Sequence, residues 1–589
     1  MKKLILLLSG VYMSFSAMAQ LPVSTTPENR RALLEEFTGI NCTFCPAGHV
    51  IASNLKNTNG ANFWVMNVHV GSFSTPGAGQ PDFRTTFGTG LVNQAALTGY
   101  PAGTINRRLF AGLGQNNGTA MSRGNWTNAT NQIRAVAAYV NVAVEAQVDE
   151  QSRQLRVIVQ HHFTANGTTT NKLNVALLQN NVEGPQTGAQ SYNPGNIQPN
   201  GKYLHQHMLR HFITGQWGTA ITNTAAGTTT TDTLFYTIPA SLNNIAYDLG
   251  NLEVVAFITE GQQEVINSNG SNVNVVNFTT NLDAALNAIK TVNPYCPGPG
   301  SETLWVRMKN NGGTTITSAT INISANGTTP TPYNWTGSLA YGQSAYVNLP
   351  TYNFTVLPSN TIDVTITNVN GAADQVSTNN TQSTSFTQAV ETTNNNITVR
   401  VTLDGYGSET SWSLKNSANT TVASGGPYTD AGANGAYPQP DINLTLPNDC
   451  YTLQVNDSYG DGLCCAYGNG NIQVFANSVL IPGISSSTFT SLDLKKFTVN
   501  VATAVEEINN QAIQVYPNPA GSECTISFQN TVESALIELV DLQGRVILSQ
   551  NVNQVNAHTM NTSNIANGVY LVVVTSEGSV STQKLSILK

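Results

Sequence analysis

Ala32-Leu-Leu-Glu-Glu-Phe-Thr-Gly-Ile-Asn-Cys42-Thr-Phe-Cys45-Pro-Ala-Gly-His49 carries the chemistry of this chain. An apolar run suited to a buried strand reaches Phe37, a Thr-Gly turn follows, and two cysteines stand two residues apart. Pro46 fits the first turn of a helix, where its missing N–H would be unpaired in any case. A Cys-x-x-Cys at a helix start is what a dithiol redox site needs. The positive end of the helix favours a thiolate on Cys42, and Cys45 lies one turn away to close a disulfide. Cys42 is read as the attacking thiolate and Cys45 as the resolving thiol. An inert structural disulfide is the competing reading in an exported protein. A zinc site would need a second Cys-x-x-Cys, and haem attachment would need His where Pro46 stands.

Working outward, Pro46 to Lys56 reads as a helix and Phe63-Trp-Val-Met-Asn-Val-His-Val70 as a strand buried on both faces. A short helix is expected to open near Pro81-Asp82-Phe83-Arg84. A proline turn at Gly99-Tyr-Pro101 leads into another strand, and Thr127 to Tyr139 closes the unit as a helix. This order reads as a thioredoxin-like domain over residues 25–139. Glu35 and Glu36 are expected as strand-edge charges in water, with a proton relay below the dithiol as the sharper alternative. His49 is either a solvated helix residue or, when charged, a stabiliser of the thiolate.

Glu36-Phe-Thr-Gly with Cys42-x-x-Cys-Pro-Ala-Gly-His, Gly99-Tyr-Pro-Ala-Gly, Asn106-Arg107 and Tyr203-Leu-His-Gln-His-Met-Leu-Arg210 resemble the Omp-twenty-eight-related outer membrane protein family over about residues 28–270. The resemblance implies a thioredoxin-like domain followed by a β-sandwich, and gives Pro101 the role of a cis-proline facing the dithiol. It does not settle an activity.

The chain is 589 residues long, with 10% charged residues, 40% hydrophobic residues and a net charge of −8. The length calls for several domains, and the sparse charge suits short strands joined by polar turns. Without a basic stripe, nucleic acid is not an expected partner. Lys2-Lys3, an apolar run and Ala17-Met-Ala19 read as a signal peptide over 1–19. No later stretch has the length and apolarity of a transmembrane helix.

Alternating apolar runs from Val140 read as an immunoglobulin-like sandwich over 140–290. Past Pro297-Gly-Pro-Gly300 a second sandwich, resembling adhesion-type modules, is expected over 301–390. A jelly-roll module is expected over 396–500. The fold class is therefore multidomain, an N-terminal α/β thioredoxin-like domain followed by all-β immunoglobulin-like and jelly-roll sandwiches. In the jelly-roll module Asp404, Glu409, Asp457 and Asp461 are a candidate calcium set, although Gly468 stands where an EF-hand would place its bidentate Glu. Asx turns explain the same residues without an ion. Cys450 is expected to pair with Cys464 or Cys465. His205, His207 and His211 raise a metal reading, with ordinary strand histidines favoured. Val515-Tyr-Pro-Asn-Pro519, Gly544-Arg545 and Gly568-Val-Tyr570 resemble the type A C-terminal sorting domain of the type IX secretion system over 510–589.

Two functions follow. One is an exported surface protein exchanging disulfides through Cys42 and Cys45, with an extracellular thiol or disulfide protein as partner. The other is a non-enzymatic adhesion or binding protein that uses the same fold as a scaffold for a surface ligand. Either requires the type IX machinery as a partner and an extracellular, cell-surface location.

Overall fold

The computed structural model describes residues 21–465, 467–501, 513–576 and 579–589. The expected signal peptide, 1–19, lies outside the described residues. The chain divides into two compact units, Met1–Asn500 and Val501–Lys589.

The first unit is built on β1, Ala32–Thr38, all seven residues of which are buried. It is followed by α1 (Cys45–Asn59), β2 (Phe63–His69), α2 (Gly88–Ala95), β3 (Ala102–Ile105), β4 (Met121–Ser122) and α3 (Trp126–Arg134). β1 pairs parallel with β2 and antiparallel with β3, and β3 pairs antiparallel with β4. Side chains alternate across β1. Ala32 and Leu34 pack with Ala52 and Leu55 of α1 and with Trp126, Ala129 and Ile133 of α3. Leu33 and Phe37 face the other way, toward Leu91 and Ala95 of α2 and toward Val255 and Phe257. The second helix starts at Gly88, later than the Pro81–Arg84 expectation, because Asp82 binds the Arg84 side chain and backbone N–H in an Asx turn instead.

The sheet does not stop at β2. β10 (Met208–Phe212) joins it through Met208 and Asn67. Beyond β10 the path runs through β7 (Asn171–Gln179), Leu252–Glu260, Val265–Val276, β5 (Val140–Asp149), β6 (Gln154–Phe163) and Thr229–Thr237. Val265–Val276 pairs with Leu252–Glu260 through Asn272, then runs parallel to β5 from Val273, so one strand serves both sheets of the sandwich. Sheet and core thus run across the boundary expected at residue 140. A hairpin of β8 (Val182–Gly184) and β9 (Tyr203–His205) stands off this sheet, and its connection holds the short α4, Ala189–Tyr192.

Next come two further β units. Ile316–Ala325 and Ser359–Val369 centre one, around Ile321, Ile323, Val364 and Ile366. Asn396–Leu403 and Asp449–Asp457 lie in the two five-stranded sheets of the other. The second unit of the chain is a five-stranded sheet around Glu523–Val540, packed on residues such as Ile526, Leu539 and Val572. The chain is therefore multidomain and mostly β.

One disulfide expectation is overturned. Cys450 pairs with Cys296, and Cys464 pairs with its neighbour Cys465. Cys450 is near the start of the nine-residue strand Asp449–Asp457, whereas Cys464 follows its far end. At ~3.3 Å per residue the strand carries the chain about 23 Å from Cys450 to its end at Asp457.

Candidate redox site

Cys42 and Cys45 form a disulfide, S–S 2.05 Å with Cα atoms 5.4 Å apart. α1 begins at Cys45 with Pro46 in its first turn, and Lys56 lies in its last turn. That polarity aims the positive end of the helix at Cys42. Pro101 is buried, and the Tyr100–Pro101 peptide is cis. Gly48, one turn after Cys45, brings the helix close to β1. A Cβ on Gly48 would stand 2.5 Å from Glu36 Oε1 and 3.4 Å from Pro101 Cβ. Glu36, Gly48 and Pro101 are therefore packed together beneath the first turn of α1.

The dithiol is covered. Cys42 is only 3% exposed and Cys45 is fully buried. The cover is the segment after β8. Gln186 Nε2 donates to Gly39 O at 3.1 Å and to Cys42 O at 3.0 Å, and Thr187 N donates to Ile40 O at 2.8 Å. Gly188 (φ 72°) lies so close to the motif that a Cβ there would be 2.1 Å from Thr43 O. Phe44 contacts Tyr192 edge-on at 5.3 Å.

Neither glutamate is a solvated strand-edge charge. β1 lies between β2 and β3, with α1 and α3 on one face and α2 and sandwich strands on the other, so both carboxylates are buried. Glu35 accepts a bidentate pair from Arg107, Nε to Oε2 at 2.8 Å and Nη2 to Oε1 at 2.6 Å. Among the described residues Glu36 has no hydrogen-bond partner on either oxygen, and burial raises its pKa well above the usual carboxylate range. His49 Nε2 lies 3.8 Å from Glu36 Oε1. Burial, then the nearby His205, lowers the His49 pKa to about 3, so His49 faces the Glu36 carboxyl as a neutral imidazole. His49 is thus not a solvated helix residue.

The three histidines of the metal reading do not converge. His205 Nε2 lies 3.2 Å from Pro185 O, His207 Nδ1 pairs with Glu253 at 2.8 Å, and His211 stacks on Tyr236. His207 has φ 51° and interrupts the extended chain between β9 and β10, so it shares no strand face with His205.

In the third β unit, carboxylate oxygens of Glu409, Asp457 and Asp461 lie within 4.8 Å of one another. Burial and then Asp461 push Glu409 up to about 7, and burial and then Asp457 push Asp461 up to about 6. Asp457 accepts backbone N–H groups from Tyr459, Gly460 and Asp461. Asp404 stands outside this trio and accepts from Tyr406 N.

Residues 89–281 match the family model of outer membrane protein Omp28, and residues 514–588 match the Secretion system C-terminal sorting domain. The chain carries an Omp28 segment and a sorting tail. It is an extracellular, cell-surface protein of the outer membrane. The Omp28 segment begins after Cys45 and spans β3, the sandwich strands and the Tyr203–Arg210 motif. The sorting tail covers nearly all of the described second unit and implies an interaction with the secretion machinery. No curated protein matches the chain. Among solved structures, a protein of Agrobacterium tumefaciens is 11% identical, covering 41% of this chain and 94% of its own, at TM-score 0.27. The CARDB domain of a Pyrococcus furiosus protein, solved with di-metal ions, is 24% identical, covering 19% of this chain and 95% of its own, at TM-score 0.15. No helix among the described residues is long and apolar enough to cross a membrane.

Proposed function

We propose that this surface protein exchanges thiols and disulfides through Cys42 and Cys45. The observation that carries the reading is the disulfide at the start of α1 with a buried, unpaired carboxyl, Glu36, under the same helical turn. The strand order β2-β1-β3-β4, with α1 joining the two parallel strands and Pro101 entering β3, supports reading this part as a thioredoxin-like unit. A partner thiolate attacks Cys42 Sγ, the Cys42–Cys45 bond breaks, and Cys45 leaves as a thiolate that takes up a proton. A second partner thiolate then attacks its own sulfur in the mixed disulfide and frees Cys42. The partner loses two electrons, the pair gains them, and a small-molecule disulfide outside the cell re-forms the Cys42–Cys45 bond. Attack on Cys42 requires the Gln186–Gly188 segment to withdraw, because it lies over the motif.

In the mature chain with dithiothreitol as electron source, insulin reduction above the background is expected, with Cys42→Ser returning it to background. Equal rates for the two proteins would reject exchange. They would leave the alternative, a surface-binding protein built on the same scaffold, which the burial of both sulfurs favours.

The jelly-roll reading of the third β unit extends to a divalent cation held by Glu409 and Asp461, whose mutual repulsion a cation would relieve. Calcium at ~100 times its dissociation constant adds about 2.7 kcal/mol. Its melting transition in the full chain is then expected to rise by at least about 4 °C over the chelated protein. Glu409→Gln should remove the rise, and an unchanged transition in the wild type would exclude the site.

A further inference from the structure

His49 is held from its far side by a residue more than 150 positions away, a contact the exchange chemistry above does not use. Tyr203 Oη lies 2.9 Å from His49 Nδ1. The same oxygen accepts from Asn193 Nδ2 at 2.8 Å and faces Asn196 Nδ2 at 3.5 Å. A phenol has one proton to give, and with amide donors on its lone pairs the His49 Nδ1 atom is the acceptor it can use. His49 must then carry its own proton on Nε2. That nitrogen lies 3.0 Å from Thr38 Oγ1 and 3.8 Å from the unpaired Glu36 Oε1.

We infer that Tyr203 is a positioning residue of the dithiol site: through its hydrogen bond to Nδ1 it holds His49 as the Nε2–H tautomer, whose N–H meets Thr38 Oγ1 and turns its positive end toward Glu36. The inference rests on the exchange reading and deepens it. When Cys45 leaves as a thiolate, Glu36 can supply the proton and becomes a carboxylate in a buried place. The Nε2–H dipole of His49, 3.8 Å away, stabilises that carboxylate electrostatically, and among the described residues no hydrogen bond reaches either Glu36 oxygen. As the disulfide re-forms, Cys45 gives its proton back to Glu36, so none is gained or lost over the cycle.

The arrangement explains why the Tyr203-Leu-His segment lies where it does. β9 sits on the hairpin that also supplies the cover of the dithiol, so one excursion of the chain provides both the strap and the tyrosine. Among the described residues, the titratable groups facing Glu36 and His49 include Cys42 and Cys45, joined as a disulfide, Tyr203 and His205 of β9 and His69 of β2, on which Arg210 of β10 also acts. Burial lowers His205 to about 4 and His69 well below its usual value, so both are neutral near pH 7. Glu35 faces the opposite side of β1 and is already paired with Arg107.

The test is the rate at which excess glutathione reduces the Cys42–Cys45 disulfide of the full chain, followed from pH 5 to 9 and corrected for the glutathione thiolate fraction. The wild type should show a bend at the Glu36 ionisation, and Glu36→Gln should lack it. In Tyr203→Phe, which keeps the ring and removes the hydroxyl, the bend should move up by about one pH unit, a tenfold change in the ionisation constant. A Tyr203→Phe profile that superimposes on the wild type, or a wild-type profile without a bend, overturns the inference. The second readout uses the wild type alone: nitrogen NMR of histidine-labelled protein should show His49 protonated on Nε2, and protonation on Nδ1 overturns it. Reduction by glutathione is a single stoichiometric event, so it reports on Tyr203 whether or not the chain reduces insulin.

Discussion

Replacing Arg107 by alanine should cost the first unit about 3–5 kcal/mol, read as a fall in its urea midpoint. Arg107 is 1% exposed and Glu35 is 1% exposed. Truncation leaves the Glu35 carboxylate buried without a counter-charge, and that desolvated charge is what makes the change expensive. Arg107 also joins two layers. Its Nη1 donates to Gln262 O at 3.4 Å, its guanidinium carbon lies 5.3 Å from the Phe257 ring, and its carbonyl accepts from Gln263 Nε2 at 2.8 Å. β1 and the loop after Leu252–Glu260 are therefore tied through one side chain. Removing both charges together, as Glu35→Leu with Arg107→Met, should recover most of the loss, since a well-packed apolar pair avoids the desolvation penalty. A double variant as unstable as Arg107→Ala would mean that packing, and not the orphaned charge, sets the cost.

Glu36 should behave in the opposite sense. Its carboxyl is buried, unpaired and raised in pKa, so the folded protein holds a proton there that the unfolded chain gives up. The stability associated with the protonated form is fully present below the unfolded pKa of about 4.3 and is lost as pH rises through the folded value. Over that window the loss is about 1.4 kcal/mol per pH unit. Glutamine stays neutral throughout. Glu36→Gln should therefore match the wild type near pH 4 and become more stable than it as pH rises, until the wild-type carboxyl ionises. Urea midpoints of the oxidised proteins at several pH values read this directly, and parallel curves would contradict it.

These two adjacent residues also mark the limit of what the sequence could tell. The run from Ala32 and the Cys-x-x-Cys were enough to anticipate β1, the start of α1 and the pairing of Cys42 with Cys45 as a disulfide. A period of two says that Glu35 and Glu36 point to opposite faces. It does not say that both faces are covered. That depends on α1 and α3 on one side, and on the join of β10 to β2 on the other, which extends the sheet into the sandwich. The partners lie far along the chain, Arg107 for Glu35 and Tyr203 for His49. No local pattern reveals such contacts. The Asn106-Arg107 and Tyr203-Leu-His motifs were visible as a family resemblance, but their roles emerged only once the chain was folded.

The cysteines give a second lesson. Nearness in sequence suggested Cys450 with Cys464 or Cys465, yet a strand carries its two ends apart while bringing distant segments beside it. Cys296, in the linker before the second sandwich, is the neighbour Cys450 meets.

The central claim is that Cys42 and Cys45 exchange electrons with protein thiols. The measurement that tests it most directly is insulin reduction by the mature chain with dithiothreitol, run beside Cys42→Ser and with the redox state of the pair trapped by alkylation. The account predicts turnover in the wild type, none above background in the variant, and cycling of the Cys42–Cys45 pair between dithiol and disulfide during the reaction. Indistinguishable rates, with the pair locked as a disulfide throughout, would contradict it.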